Sequence, residues 1–114
     1  MTRTNLEYLK NITDNDSTSM REIIELFIEQ VPQSIENMHK YLGEKRYADL
    51  AKEAHKAKSS VEIVGLSDLG QALKALQQSI LDQKDQQTYY PIIWRFEIEC
   101  LEAIEELKKA MTQF

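Results

Sequence analysis

Turn-forming residues are scarce in this sequence: 3 Gly and 2 Pro among 114 residues. Sheet-rich folds of this size need more of them, so long helices are predicted instead. Cysteine is nearly absent too. Cys100 stands alone and cannot close an internal disulfide, and two histidines, His39 and His55, are too few to complete a zinc site. Gly43, Gly65 and Gly70 are isolated, which excludes a glycine-rich phosphate loop. Neither G-x-S-x-G nor H-E-x-x-H occurs, so the common hydrolase constellations are missing. No apolar run approaches the roughly 20 residues of a membrane span. An excess of positive charge is lacking as well. The 14 Lys+Arg against 19 Asp+Glu give a net charge of -5, which argues against a nucleic-acid partner. The opening Met1-Thr2-Arg3-Thr4-Asn5 is polar, so no signal segment is expected, and the expected compartment is the cytoplasm.

What remains is a chain with 42% hydrophobic and 29% charged residues, the composition of one globular domain over residues 1–114. Apolar residues recur at helical spacing almost throughout. A short first helix is predicted over Asn5 to Ile12, with Leu6, Leu9 and Ile12 on one side. After the polar break at residues 13–16, Ser19 and Glu22 can form a capping box, with Asp16 or Ser17 as earlier caps. The next helix runs to about Gln30, and Pro32 either opens a further helix or kinks a single long one. Gly43 reads as its stop. A helix starting near Lys45–Tyr47 then carries Tyr47, Leu50, Ala54, Ala57, Val61 and Val64 inward and ends at Gly65. Ser67 caps a helix bearing Leu69, Leu73, Leu76 and Ile80, in which Gly70 permits close approach of a neighbour. Residues 82–87 form a loop. Thr88 caps the last helix, whose stripe is Ile93, Cys100, Ile104, Leu107 and Met111. The predicted fold is all-α: an antiparallel four-helix bundle with a short extra N-terminal helix.

One residue does not fit the bundle interior. On a helical wheel His55 falls about 120° from the centre of its helix's apolar stripe, so it points to solvent. An exposed imidazole is mostly neutral and nucleophilic at pH 7. Lys52, Lys56 and Lys58 surround it, and Ser59 and Ser60 leave the following turn uncrowded. Positive charge favours a dianionic group there, and small side chains admit a bulky partner. His39, beside Met38 on another helix, has neither feature and reads as ordinary surface. Ile63 lies off its helix's stripe, to be covered by the first helix or to belong to a docking surface. Cys100 reads as an inert buried thiol.

The stretch Ala54-His55-Lys56-Ala57-Lys58-Ser59-Ser60-Val61-Glu62-Ile63-Val64-Gly65-Leu66 resembles the signature of histidine-containing phosphotransfer (HPt) domains. His55, Lys58, Ser59, Ser60, Gly65 and Leu66 fall on matching positions. Leu6-Glu7-Tyr8-Leu9 and Ile24-Glu25-Leu26-Phe27-Ile28-Glu29-Gln30 are similar to the family as well. Two positions depart from the pattern: Ala57 stands where Leu is usual and Ser59 where Gly is commonest. The resemblance implies that His55 accepts a phosphoryl group, by Nε2, from one receiver-domain aspartate and passes it to another. It implies that Lys58 steadies that group or the partner's active-site acids, that Ser59 gives access, and that Gln77, or Gln78 beside it, hydrogen-bonds the histidine. Lys52 and Lys56 would support docking. The implied partners are response-regulator receiver domains and a hybrid histidine kinase, with this chain a monomer and a carrier without kinase or phosphatase machinery. No cofactor is implied on this chain, magnesium being expected on the receiver.

Two other readings stay open. A histidine-kinase dimerisation module usually carries an acidic residue after the histidine and a proline soon after. Here Lys56 follows, and no proline comes between His55 and Pro91. A plain helical adaptor would tolerate replacement of His55.

Overall fold

The computed structural model describes residues 3–114. Its helices are α1 (Glu7–Ile12), α2 (Ser17–Gly43), α3 (Tyr47–Ile63), α4 (Ser67–Leu81) and α5 (Tyr89–Met111), with a 3-10 turn at Gln86–Thr88 before α5. Helices α2 to α5 close a four-membered ring: α2 packs on α3, α3 on α4, α4 on α5 and α5 back on α2. Short connections at residues 44–46 and 64–66 force consecutive helices to run antiparallel. The predicted bundle with a short leading helix is therefore the observed one, 43 × 24 × 21 Å in extent.

The predicted stripes form the core. Leu50, Ala54, Ala57 and Val61 of α3 are buried, and so are Leu69, Leu73, Leu76 and Ile80 of α4 and Ile93, Cys100, Ile104 and Leu107 of α5. Met111 and Tyr47 are only partly buried. In α1 the predicted face is half right: Leu9 is fully buried, Leu6 partly, and Ile12 is 50% exposed. The helix starts at Glu7 rather than Asn5: the Asn5 Oδ1 accepts from the Glu7 N–H at 3.0 Å, and the Asn5 N–H donates to the Val64 carbonyl across the α3–α4 turn.

Several helix ends differ from expectation. Pro32 lies inside a continuous α2 on its exposed side, where water can serve the carbonyl that the missing N–H leaves free. Asp16, not Ser19, caps α2: its carboxylate accepts from the Ser19 N–H at 3.0 Å. Gly43 is the last helical residue, and the left-handed residue after it is Lys45 (φ 56°). Gly65 does take the left-handed conformation (φ 87°). Leu66 rather than Ser67 occupies the cap of α4, without a side-chain hydrogen bond. Thr88 precedes α5 but its hydroxyl donates to Asp85 O, so it closes the 3-10 turn instead of capping.

The segment before α1 straps two distant parts together. The Arg3 and Thr4 N–H groups and the Thr4 hydroxyl donate to the Glu106 carboxylate on α5. The Arg3 guanidinium pairs with Glu102 and, at 3.8 Å, with Glu99. Together with the Asn5–Val64 bond, these contacts lay residues 3–6 from α5 to the α3–α4 turn and hold α1 beside the end of α3.

Candidate functional site

Helix α3 alternates two kinds of surface. Ala51, Ala54 and Ala57 are buried and small, so α3 can lie close to its neighbours. Between them His55 and Lys56 are exposed. His55 sits near the middle of the helix rather than at a loop, which makes its backbone rigid. Across the contact with α4 is Gln77. The His55 Nδ1–H donates to Gln77 Oε1 at 3.4 Å, a long hydrogen bond. In the neutral ring, donation from Nδ1 leaves the lone pair on Nε2. Nε2 has no hydrogen bond among the described residues. Of the two glutamines left open by sequence, Gln77 is the one at the histidine. Gln78 is turned to Asp82, donating to its carboxylate at 3.0 Å.

The two flanks of His55 differ. Toward the start of α3 an open cleft runs between α3, α4 and the α4–α5 connection, walled by Ala48, Ala51, Ile80, Leu81 and Tyr89, with Lys52 as the one lysine, arginine or carboxylate in its lining. Leu81 is 62% exposed there. Toward the end of α3, Ser59 is exposed and opens onto a second hollow that Tyr8 and Ile12 of α1 share with Ile63. Ile63 is partly buried, so α1 covers it in part.

The three lysines are not equivalent. Lys52 and Lys56 are exposed and have no carboxylate within 4.0 Å among the described residues. Lys58 is half-buried and its Nζ lies 3.1 Å from Glu62 Oε1, one turn further along α3. That engagement was not anticipated, although the i,i+4 spacing of Lys58 and Glu62 is visible in the sequence.

His39 is more than ordinary surface. It is half-buried, its Nε2 lies 2.8 Å from Glu97 Oε1, and its ring stands 6.2 Å from that of Tyr90. It therefore joins α2 to α5, and its Nε2 is engaged where that of His55 is free among the described residues. Cys100 is buried as expected. Burial, helped by Glu99, pushes its thiol up to about 12, so it stays protonated. A polar contact that sequence patterning missed lies behind the site. Glu53 of α3 is buried against α2 and accepts from Ser34 Oγ at 2.8 Å and Asn37 Nδ2 at 3.1 Å. A lone carboxylate in a helix looks like solvated surface until its neighbour is known.

Among the described residues no group of three His, Cys, Asp or Glu side chains is placed to hold a metal, and no helix is long and apolar enough to cross a membrane.

Comparison with known proteins bears on this geometry. The HPt domain from the Hpt sensor hybrid histidine kinase of Shewanella superposes with a TM-score of 0.82 at 15% identity, covering 98% of this chain and 96% of that one. At that identity the likeness speaks for the fold. No curated protein matches the chain. The family model described as Hpt domain matches residues 22–113, which spans nearly all of α2 and the whole of α3, α4 and α5 with His55 on its exposed face. By that match the chain belongs to the Hpt domain family.

Proposed function

We propose that this Hpt domain is the phosphoryl carrier of a cytoplasmic phosphorelay and that His55 Nε2 is the acceptor atom. One observation carries the assignment: an exposed imidazole in mid-helix whose Nδ1–H is engaged by Gln77, leaving the Nε2 lone pair turned to solvent. In the forward step that lone pair attacks the phosphorus of a receiver's aspartyl phosphate. The Nε2–P bond forms as the P–O bond to the aspartate breaks, and the carboxylate leaves with the bonding electrons. The ring keeps its Nδ1 proton and becomes cationic, and Gln77 Oε1 accepts the hydrogen bond of that ring more strongly than of the neutral one. The reverse step returns the group to a second receiver aspartate. Magnesium and the acidic pocket belong to the receiver.

The surroundings suit such a partner. The cleft beside His55 offers apolar contact at Ile80 and Leu81, and Ser59 keeps the other flank low. The chain is net acidic at -5, yet Lys52 and Lys56, which have no carboxylate within 4.0 Å among the described residues, make this face locally basic. A receiver pocket ringed by carboxylates is drawn to that patch chiefly through its encounter rate.

The test is incubation with a phosphorylated receiver domain and assay for acid-labile, base-stable phosphate on the chain. His55→Gln is expected to fold normally and take up none, while His39→Gln still accepts. Equal labelling of the two variants would remove the assignment, and no labelling of the wild type would favour a helical adaptor.

A further inference from the structure

Gly70 is an anomaly. It is buried in the interior of α4, where a glycine costs up to about 1 kcal/mol against alanine. The atoms nearest to a Cβ at this position all belong to the Glu62 side chain: Cγ at 2.8 Å, Oε1 at 3.0 Å and Cδ at 3.3 Å. The Glu62 side chain thus lies across the bare glycine. The same Oε1 is the atom that holds Lys58 Nζ at 3.1 Å. The order Lys58 then Glu62 is the weaker orientation for an i,i+4 pair, so helix electrostatics alone give little reason for it. The seat on α4 supplies the reason, because it fixes the carboxylate before the lysine arrives.

We infer that Glu62, seated on Gly70, is a positioning residue that holds Lys58 away from the unphosphorylated His55 and competes with the phosphoryl group for it. This rests on the assignment of His55 as acceptor. Lys58 can reach one anion at a time. In the resting protein the anion is Glu62. In the phosphorylated protein a dianion stands one turn earlier on the same helix, and charge-assisted bonding to it is stronger than to an exposed carboxylate. Releasing the pair therefore opposes phosphorylation and favours passing the phosphoryl group on. The latch sets how readily the carrier empties.

The experiment is equilibration of wild type and variants with an isolated receiver domain phosphorylated by acetyl phosphate, reading the phosphohistidine fraction. Glu62→Gln is expected to move the equilibrium about twofold toward the phosphorylated chain, the size of an exposed i,i+4 pair. Gly70→Ala keeps both charges but unseats the carboxylate, and is expected to shift it the same way while thermal stability holds or rises. In a Lys58→Ala background Glu62→Gln should have no effect. A shift that persists there would mean that the carboxylate repels phosphate directly, and a wild-type value for Gly70→Ala would mean that the seat is incidental. Either result overturns the latch. If the wild type takes up no phosphate, the acceptor assignment falls instead. Side-chain NMR of the Lys58 ammonium, with no phosphate present, then still shows whether Glu62 and Gly70 hold the pair.

Discussion

An imidazole serves as a phosphoryl acceptor when one nitrogen faces outward with its lone pair free. At His55 that condition is met by a single partner, Gln77, at 3.4 Å. The bond is long, so its contribution belongs at the low end of the range for neutral hydrogen bonds, about 0.5–1 kcal/mol. Gln77→Leu is therefore expected to slow phosphoryl uptake about threefold, the rate equivalent of that energy. It should also raise the share of the tautomer protonated on Nε2, which nitrogen chemical shifts of the ring would show. An unchanged tautomer ratio would mean that the amide is a bystander. The other histidine illustrates the opposite case. His39 has the same ring, but Glu97 and Tyr90 occupy its surroundings and make it a joint between helices.

At the scale of elements, the α3–α4 turn governs the site, since it aligns Gln77 with His55. Gly65 makes the turn possible. Its φ of 87° disfavours any side chain, and a Cβ would fall 2.2 Å from the Asn5 carbonyl oxygen and 2.4 Å from its nitrogen. Backbone atoms cannot step aside as the end of a side chain can. Gly65→Ala is expected to destabilise the protein by about 2 kcal/mol or more through left-handed strain and this clash, read as a lowered denaturant midpoint. Gly70→Ala, where the nearest atoms belong to the Glu62 side chain, should not. The contrast separates a glycine required by the backbone from one that makes room for a neighbour. Elsewhere the chain manages without glycine. Lys45 adopts the left-handed conformation after α2, while a Cβ on Gly43 would meet nothing within 4 Å.

At the scale of the whole molecule, the strap of residues 3–6 links the C-terminal part of α5 to the α3–α4 turn and so carries α1 into place. The family match begins at residue 22, so strap and α1 lie outside it. The Glu106 carboxylate is the fastening. Burial pushes its pKa up, but the hydrogen bonds from the Thr4 N–H, the Arg3 N–H and the Thr4 hydroxyl outweigh burial and hold it below the usual glutamate range. A carboxyl depressed on folding stabilises above its unfolded value and loses that contribution as pH falls through its folded value. Acidification below the ordinary glutamate range is thus expected to loosen the strap before the bundle unfolds. Amide exchange at Asn5, whose N–H bonds to Val64, is the reporter. Glu106→Gln should reproduce the loosening at neutral pH, at a cost of about 1 kcal/mol. Equal protection at pH 7 in wild type and variant would show that the strap does not depend on this charge.

The fold class was legible in the sequence because it depends on periodicity, and burying several helical stripes with short connections leaves an antiparallel bundle as the simple solution. The exposure of His55 was legible for the same reason, as an angle on one helix. The left-handed stop at Gly65 followed from local chemistry. What tertiary structure decided is everything that needs two elements at once. On the wheel Gln77 flanks the buried stripe of α4 and Gln78 lies on its outer side, but only the seating of α4 on α3 shows that the flanking amide meets the imidazole while the other turns to Asp82. Glu62 over Gly70, Glu53 between Ser34 and Asn37, and Glu106 under the strap are all carboxylates that read as solvated surface in isolation. A charge has no periodicity that announces its partner. Its role is fixed by a donor or a gap far away in sequence, which the packed chain alone brings within reach.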